Sequence, residues 1–207
     1  ATDQGIGYLK EGEFVLEKKL DILSTSSFRS INKDRNGRFW FGSYGGGIVV
    51  YTPDEKPISI TGENGLYDET ISQLNIDLNG NIWLAGNRGL FFIERENADQ
   101  FLAERTDELQ VSRFGVAEGM PIRETAGGFS PSYHMTDQGV MYIPTVQGLT
   151  EVHTQRMKVN RTPPNTIIEE VIKDGVSYHP DDLKKIGHQM HQLDIRFTAL
   201  SLMNPEY

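Results

Sequence analysis

The chain contains no cysteine, which removes disulfides and thiolate metal sites and is compatible with either an oxidising or a reducing compartment. No stretch approaches the ~18–20 consecutive apolar residues of a bilayer-spanning helix. Cations are in the minority: 20 Lys and Arg stand against 29 Asp and Glu, for a formal charge of −9. No basic cluster interrupts that balance, which argues against a nucleic-acid partner, because the phosphate backbone would repel such a surface. The first residues, Ala1-Thr2-Asp3-Gln4-Gly5, lack the basic and apolar regions of a signal peptide. Tryptophan is scarce as well, with two in 207 residues. Within that length there is room for one large or two small domains.

What is present is a repeat, and it places both tryptophans. Asp34-Arg35-Asn36-Gly37-Arg38-Phe39-Trp40-Phe41-Gly42 is followed by Gly47-Ile48-Val49-Val50-Tyr51. The pattern returns as Asp77-Leu78-Asn79-Gly80-Asn81-Ile82-Trp83-Leu84-Ala85-Gly86, then Gly89-Leu90-Phe91-Phe92-Ile93. A looser copy runs from Thr136 through Gly139 and Tyr142 to Pro144, then Gly148 to Val152. Trp40 and Trp83 are 43 residues apart, the period of a four-stranded propeller blade. Gly5, Gly47 and Gly89 are spaced by 42, so the chain begins in mid-pattern and reads as a piece of a longer array.

Each copy has a mechanical meaning. Asn36-Gly37 and Asn79-Gly80 tolerate the positive φ of tight turns between twisted strands. The strands expected before those turns are Phe28–Asn32, Ile71–Ile76 and Tyr133–Met135; the strands after them carry Trp40, Trp83 and Tyr142. Apolar runs such as Ile48 to Tyr51 fit strands covered on both faces by neighbouring blades. The regular placing of the aromatics favours packing between blades over ligand stacking, since a buried Trp contributes a large apolar area. A polar fourth strand is expected at Pro57–Thr61, and a short rim helix near Ala98–Arg105. After Val152 the composition changes. Met157 to Pro164 reads as a linker stiffened by two prolines. Thr166–Lys173 and the alternating His191–Leu200 read as strands of a second β domain, with a turn at Asp174-Gly175.

The resulting fold class is all-β: a partial propeller of about three four-stranded blades in an open arc, followed by an incomplete immunoglobulin-like sandwich. The expected boundaries are a partial first blade at 1–20, blades at 21–62 and 63–115 with a rim insertion at 95–109, and a terminal blade at 116–156. A linker at 157–165 and sandwich strands at 166–207 complete the chain.

Asn64-Gly65-Leu66, Ser72 to Asp77, Gly80-Asn81-Ile82-Trp83 and Arg88-Gly89-Leu90 together resemble the two-component regulator propeller repeat. Glu118-Gly119-Met120, Arg123-Glu124, Gly127-Gly128 and Gln147-Gly148-Leu149 resemble its terminal form. The Pro163-Pro164 linker, Ile167 to Val171 and Asp194 to Leu200 are similar to the opening of the Tyr-rich immunoglobulin-like (Y_Y_Y) domain that follows such propellers. The resemblance implies the periplasmic sensor region of an inner-membrane receptor, with a histidine kinase or diguanylate cyclase elsewhere. It also implies a homodimer in the full receptor. Thr136, Tyr142 and Pro144 depart from the family pattern in the third copy.

Sites for chemistry are few. Counted from Asp34, the EF-hand positions six and twelve hold Phe39 and Gly45, so the Asp-x-Asn-Gly turns are hairpins and not calcium loops. The run Gly45-Gly46-Gly47 lacks the Lys-Ser/Thr of a phosphate loop. His188 and His191 lack further ligands at a recognisable spacing, and zinc normally needs three or four. Glu118 and Glu124 have no legible geometry for a glycosidase pair. No catalytic residue, metal or cofactor is expected. The residues that break the small-residue pattern of the predicted face loops are Tyr44, Tyr67, Arg88, Arg123 and Gln147. They are the expected contacts for a small-molecule or carbohydrate ligand, with Arg88 and Arg123 suited to an anionic sugar or carboxylate. The alternatives are a glycan- or ester-cleaving propeller and a pure interaction scaffold.

Overall fold

The computed structural model describes residues 6–16, 27–127, 129, 132–157, 165–182 and 191–200, in two compact units divided between Met157 and Lys158. The first unit opens with a hairpin of β1 (Gly7–Lys10) and β2 (Glu13–Leu16). A four-stranded antiparallel sheet follows in the order β3 (Ser27–Lys33), β4 (Phe39–Tyr44), β5 (Ile48–Tyr51), β6 (Ile58–Ile60). The next sheet has the same plan: β7 (Ile71–Ile76), β8 (Ile82–Gly86), β9 (Gly89–Ile93) and β10 (Ser112–Phe114). Helix α1 (Arg95–Leu102) is inserted before β10. A three-stranded sheet of β11 (His134–Met135), β12 (Val140–Thr145) and β13 (Gly148–His153) ends the unit. Sheets of this meandering kind, packed face to face, are the blades of a partial β-propeller.

The repeated Asp explains why the hairpins and tryptophans travel together. Asp34 Oδ1 accepts the backbone N–H groups of Asn36 and Arg38, both at 2.9 Å, and its Oδ2 accepts the indole N–H of Trp40 at 2.9 Å. Asp77 repeats this with Asn79, Asn81 and Trp83, at 2.9, 2.9 and 3.0 Å. One carboxylate thus closes the turn and gives the buried indole the acceptor it requires. Gly37 and Gly80 supply the left-handed residue, at φ 86° and 88°. In the third copy the Thr136 hydroxyl accepts one bond, from Val140 N–H. Tyr142, half-buried, has no indole N–H to satisfy.

Register determines which way each face looks. Trp40 and Val50 are paired neighbours in β4 and β5. They join Ile48, Ile60 and Leu66 in one cluster with Ile71, Leu74, Ile82, Leu84, Phe91 and Ile93 of the next blade. This is the first seam between blades, and Trp40 is 1% exposed in it. The opposite face of the β7–β10 blade carries Gln73, Asn75 and Trp83, with Gln73 paired to Ala85 and Asn75 to Trp83. Gln73 donates from Nε2 to the Ala126 carbonyl of the terminal blade, so this face forms the second seam. Trp83 is fully buried there against Phe92 and Phe114, with ring centroids at 4.7 and 5.9 Å.

Two expectations shift in detail. Helix α1 starts and ends three residues earlier than the expected 98–105. Asn81 Oδ1 accepts the Arg95 N–H at its start, and Glu104 turns left-handed at φ 55° just past its end. The expected strand 133–135 shortens to His134–Met135, while the Tyr133 hydroxyl accepts the Asn32 side-chain amide at 3.4 Å. The second unit is a sheet ordered β15 (Val176–Tyr178), β14 (Asn165–Lys173), β16 (Leu193–Leu200). Asp174 and Gly175 turn between β14 and β15 with φ 48° and 83°. The Pro163-Pro164 linker and His188 lie outside the described residues.

Candidate functional site

In a meander, every second turn emerges at the same end. The β4–β5, β8–β9 and β12–β13 turns therefore share one end with the connections that lead into the next blade, residues 61–70 and 115–124. All five residues expected at a ligand face lie at this end. Tyr44 is the last residue of β4 and not a loop residue, Tyr67 and Arg123 lie in the connections, and Arg88 and Gln147 lie in the turns.

The two connections are built alike. A single 3-10 turn, Gly62–Asn64 or Val116–Glu118, ends on a left-handed glycine, Gly65 at φ 94° or Gly119 at φ 100°. Each connection then reaches back to the preceding blade. The Glu69 carbonyl accepts the N–H groups of Gly45 and Gly47 at 3.0 and 2.9 Å, and Thr125 donates N–H and hydroxyl to the Gly86 carbonyl. These bonds fix the loops to the sheets, so the side chains they present stand on a rigid base.

Tyr67 is the centre of the resulting surface. The residue is 44% exposed, and its ring lies parallel to Phe91, with centroids 6.4 Å apart and an interplanar angle of 6°. The Arg113 guanidinium sits over the same ring at 5.6 Å, a cation–π arrangement. Arg88 donates from Nη1 to the Tyr67 carbonyl at 3.2 Å, and its N–H goes to Asp68 Oδ2 at 3.1 Å. Asp68 Oδ1 accepts the Thr70 N–H at 2.9 Å. Thr70 in turn pairs with Tyr44, a residue 55% exposed whose ring has the Arg29 guanidinium over it at 5.9 Å. The structure thus brings Tyr67 and Arg88 into contact and sets Tyr44 beside the same connection. Arg123 flanks Gly115, whose N–H is held by Glu118 Oε2 at 2.6 Å. Gln147 is exposed in the β12–β13 turn, with its N–H on Thr145 Oγ1 at 3.3 Å; the neighbouring Val146 donates to the Glu124 carbonyl.

Sequence reasoning missed Arg29, Phe91 and Arg113. They lie within strands, and only the register that opposes Arg113 to Phe91 puts a cation near Tyr67. The chemistry of the surface is two tyrosine faces, each attended by a guanidinium, in an otherwise acidic protein. Such a set suits a flat or ring-shaped ligand with an anionic group.

The opposite end carries structural chemistry. Burial pushes the Asp34 carboxyl up, but the Trp40 indole and Arg38 outweigh it and hold it below the usual carboxylate range. Burial likewise works against the Arg38 cation, and its ion pairs with Asp99 and Asp34, both 2.5 Å, overcome this and raise its pKa. Arg38 therefore ties the β3–β4 hairpin to α1. A shallow cavity of about 300 Å³ beside this pair is lined by Val50, Ile58, Leu102 and Lys56 among others. With their oxygens engaged by N–H donors, Asp34 and Asp77 are not arranged for calcium. Among the described residues, no group of three or more His, Asp or Glu side chains is placed to hold a metal ion.

Residues 22–45 match the family model described as the two-component regulator propeller. The chain carries a repeat of that family. No curated protein matches the chain. Among solved structures, it resembles the extracellular domain of the hybrid two-component system BT4673 from B. thetaiotaomicron, at 17% identity and a TM-score of 0.59, over 83% of this chain and 24% of that one. PorZ, a surface component of the type-IX secretion system of Porphyromonas gingivalis, matches at 18% identity with a TM-score of 0.44, over 74% of this chain and 24% of its own. The chain thus spans about a quarter of the length of these two structures. The first likeness shows the fold: blades of a β-propeller.

Proposed function

We propose that this chain is part of the ligand-sensing, periplasmic region of a bacterial two-component receptor anchored in the inner membrane. The observation that carries the reading is the regulator propeller repeat at residues 22–45, set in an arc of blades built on one plan. In this reading a small molecule or carbohydrate binds at the Tyr44–Tyr67–Arg88 end, with Arg123 and Gln147 completing the surface. The second unit is the beginning of an immunoglobulin-like Y_Y_Y sandwich, which relays binding within a homodimer. Two features support that assignment. Glu170 pairs with Arg196 at 2.7 Å on one face of its sheet, while Ile168, Val171, Ile195 and Phe197 share the other, where Phe197 is 64% exposed. A sheet with one ionic and one apolar face suits the half of a sandwich.

The segment acts by binding and not by turnover. The lyase or hydrolase alternative would need a histidine and a glutamate converging on one face. His134 and His153 lie in β11 and β13 at the end of the terminal blade opposite Gln147, as the Val140–His153 and Thr145–Gly148 pairings show. His153 is also engaged with Glu151 at 2.7 Å. The test is calorimetry of the protein against neutral and uronate-containing oligosaccharides, with product analysis. Saturable binding without product, weakened roughly tenfold or more (about 1.4 kcal/mol) by Tyr67→Ala and by Arg88→Ala, is expected. Product release, or an affinity indifferent to both substitutions, would overturn the reading.

A further inference from the structure

The sequence holds three Asn-Gly pairs, Asn36-Gly37, Asn64-Gly65 and Asn79-Gly80. An Asn side chain is open to attack at Cγ by the backbone nitrogen of the residue that follows it. Glycine in that place offers the least steric resistance, because it has no Cβ. Both reacting atoms belong to one dipeptide, so covalent geometry sets their reach, and the fold decides only whether the peptide link can turn. By local sequence the three pairs are equal.

The structure makes them unequal. In all three the glycine N–H is held, by the carbonyl of Asp34, Gly62 or Asp77 at 3.1, 3.1 and 2.9 Å, so that bond does not rank them. Asn64 is restrained at its side chain as well: Oδ1 accepts the Thr61 N–H at 3.0 Å. A Cβ on Gly65 would stand 2.7 Å from the Leu109 carbonyl oxygen. Asn79 is exposed, but Gly80 is buried. The aliphatic stem of Arg95 lies over it, with Cδ 2.8 Å from where a Cβ would be. Asn36 is exposed, and among the described residues no hydrogen bond engages its side-chain amide. A Cβ on Gly37 would meet nothing within 4 Å. Here alone a small local opening lets the link rotate toward Cγ and lets solvent base reach the N–H without displacing a neighbour.

We propose that Asn36 is a site of spontaneous covalent modification, deamidation through a succinimide, and that the fold protects Asn64 and Asn79. The Gly37 nitrogen gives its proton to a solvent base and bonds to Asn36 Cγ. The Cγ–Nδ2 bond breaks, and ammonia leaves with a proton taken from water. Water then opens the ring: cleavage of N–Cγ gives aspartate, and cleavage of the bond from N to the main-chain carbonyl carbon gives isoaspartate. The isoaspartyl product adds a methylene to the main chain between the two N–H groups that Asp34 Oδ1 holds, in the turn that serves Trp40.

The test is incubation of the folded protein at mildly alkaline pH, with peptide mapping that separates Asn, Asp and isoaspartyl forms. Asn36 is expected to convert first, while the same protein in denaturant converts all three at comparable rates. A folded protein in which Asn64 or Asn79 converts as fast as Asn36 overturns the proposal, and so does one in which Asn36 does not convert. Arg95→Ala uncovers Gly80 and keeps the backbone bond to Asn81, so conversion of Asn79 should accelerate; an unchanged rate overturns the protection argued for it. Should that variant fail to fold, Asn36→Gln provides a second readout, since it removes the reacting group and breaks no side-chain hydrogen bond. Ammonia release from the folded variant should fall to a small remainder, and release at the original rate overturns the assignment.

Discussion

Asp34 and Asp77 each hold a turn and an indole with a single carboxylate, and that economy makes them sensitive positions. Asp77→Ala removes four acceptor contacts and leaves the Trp83 N–H buried without a partner. An unpaired buried donor costs about 1–3 kcal/mol, and bonds to a charged acceptor about 1.5–3 kcal/mol each, though not additively. A loss on the order of 3 kcal/mol is expected in urea denaturation, whereas Asp137→Ala, in the exposed third turn, should change little. The third copy follows the same logic in reverse: where Trp gives way to Tyr142, Asp gives way to Thr136. The loss of one half of the lock accompanies the loss of the other.

Between elements, Arg38 is the joint with a measurable signature. It bridges the Asp34 turn and Asp99 on α1. The sign of its pH dependence follows from Asp34. A folded pKa below the unfolded value of about 3.9 contributes stability that is complete above that value and is lost as pH falls through the folded one. Acid titration of stability should therefore steepen below about pH 4, and Asp34→Asn should flatten that limb. An unchanged acid limb in Asp34→Asn would show that the carboxylate is not tuned as the geometry implies. Helix α1 shows what local sequence leaves open at this scale. The polar run Glu94 to Leu109 signals an insertion, but its limits come from Asn81 receiving Arg95 and from the left-handed Glu104. Neither partner is visible from the helix's own residues.

For the whole molecule, the proposed relay depends on stiffness between the propeller and the proposed sandwich. Proline restricts backbone freedom, and in that proposal the Pro163-Pro164 pair of the sequence keeps a change in orientation from being dissipated. Replacing both with Gly-Ser in the full receptor should blunt the response to ligand while leaving affinity at the propeller face unchanged. A full response would separate signalling from linker rigidity. The same experiment reads out independently of the Tyr67 and Arg88 substitutions, because it alters transmission and not binding.

The sequence by itself determined the blade plan. Period, turn dipeptides and the recurring Asp and Trp are local or repeated signals, and a repeat announces its own architecture without tertiary context. It also located the end of the arc where Tyr44, Tyr67, Arg88, Arg123 and Gln147 emerge, since strand alternation dictates which turns share an end. Only the tertiary structure decided that Arg113 and Arg29 stand over tyrosine rings, that Asp34 serves an indole as well as a turn, and that Gln73 reaches Ala126. Those contacts join residues of different strands or blades, up to 53 positions apart, and register and packing, not composition, bring them within reach.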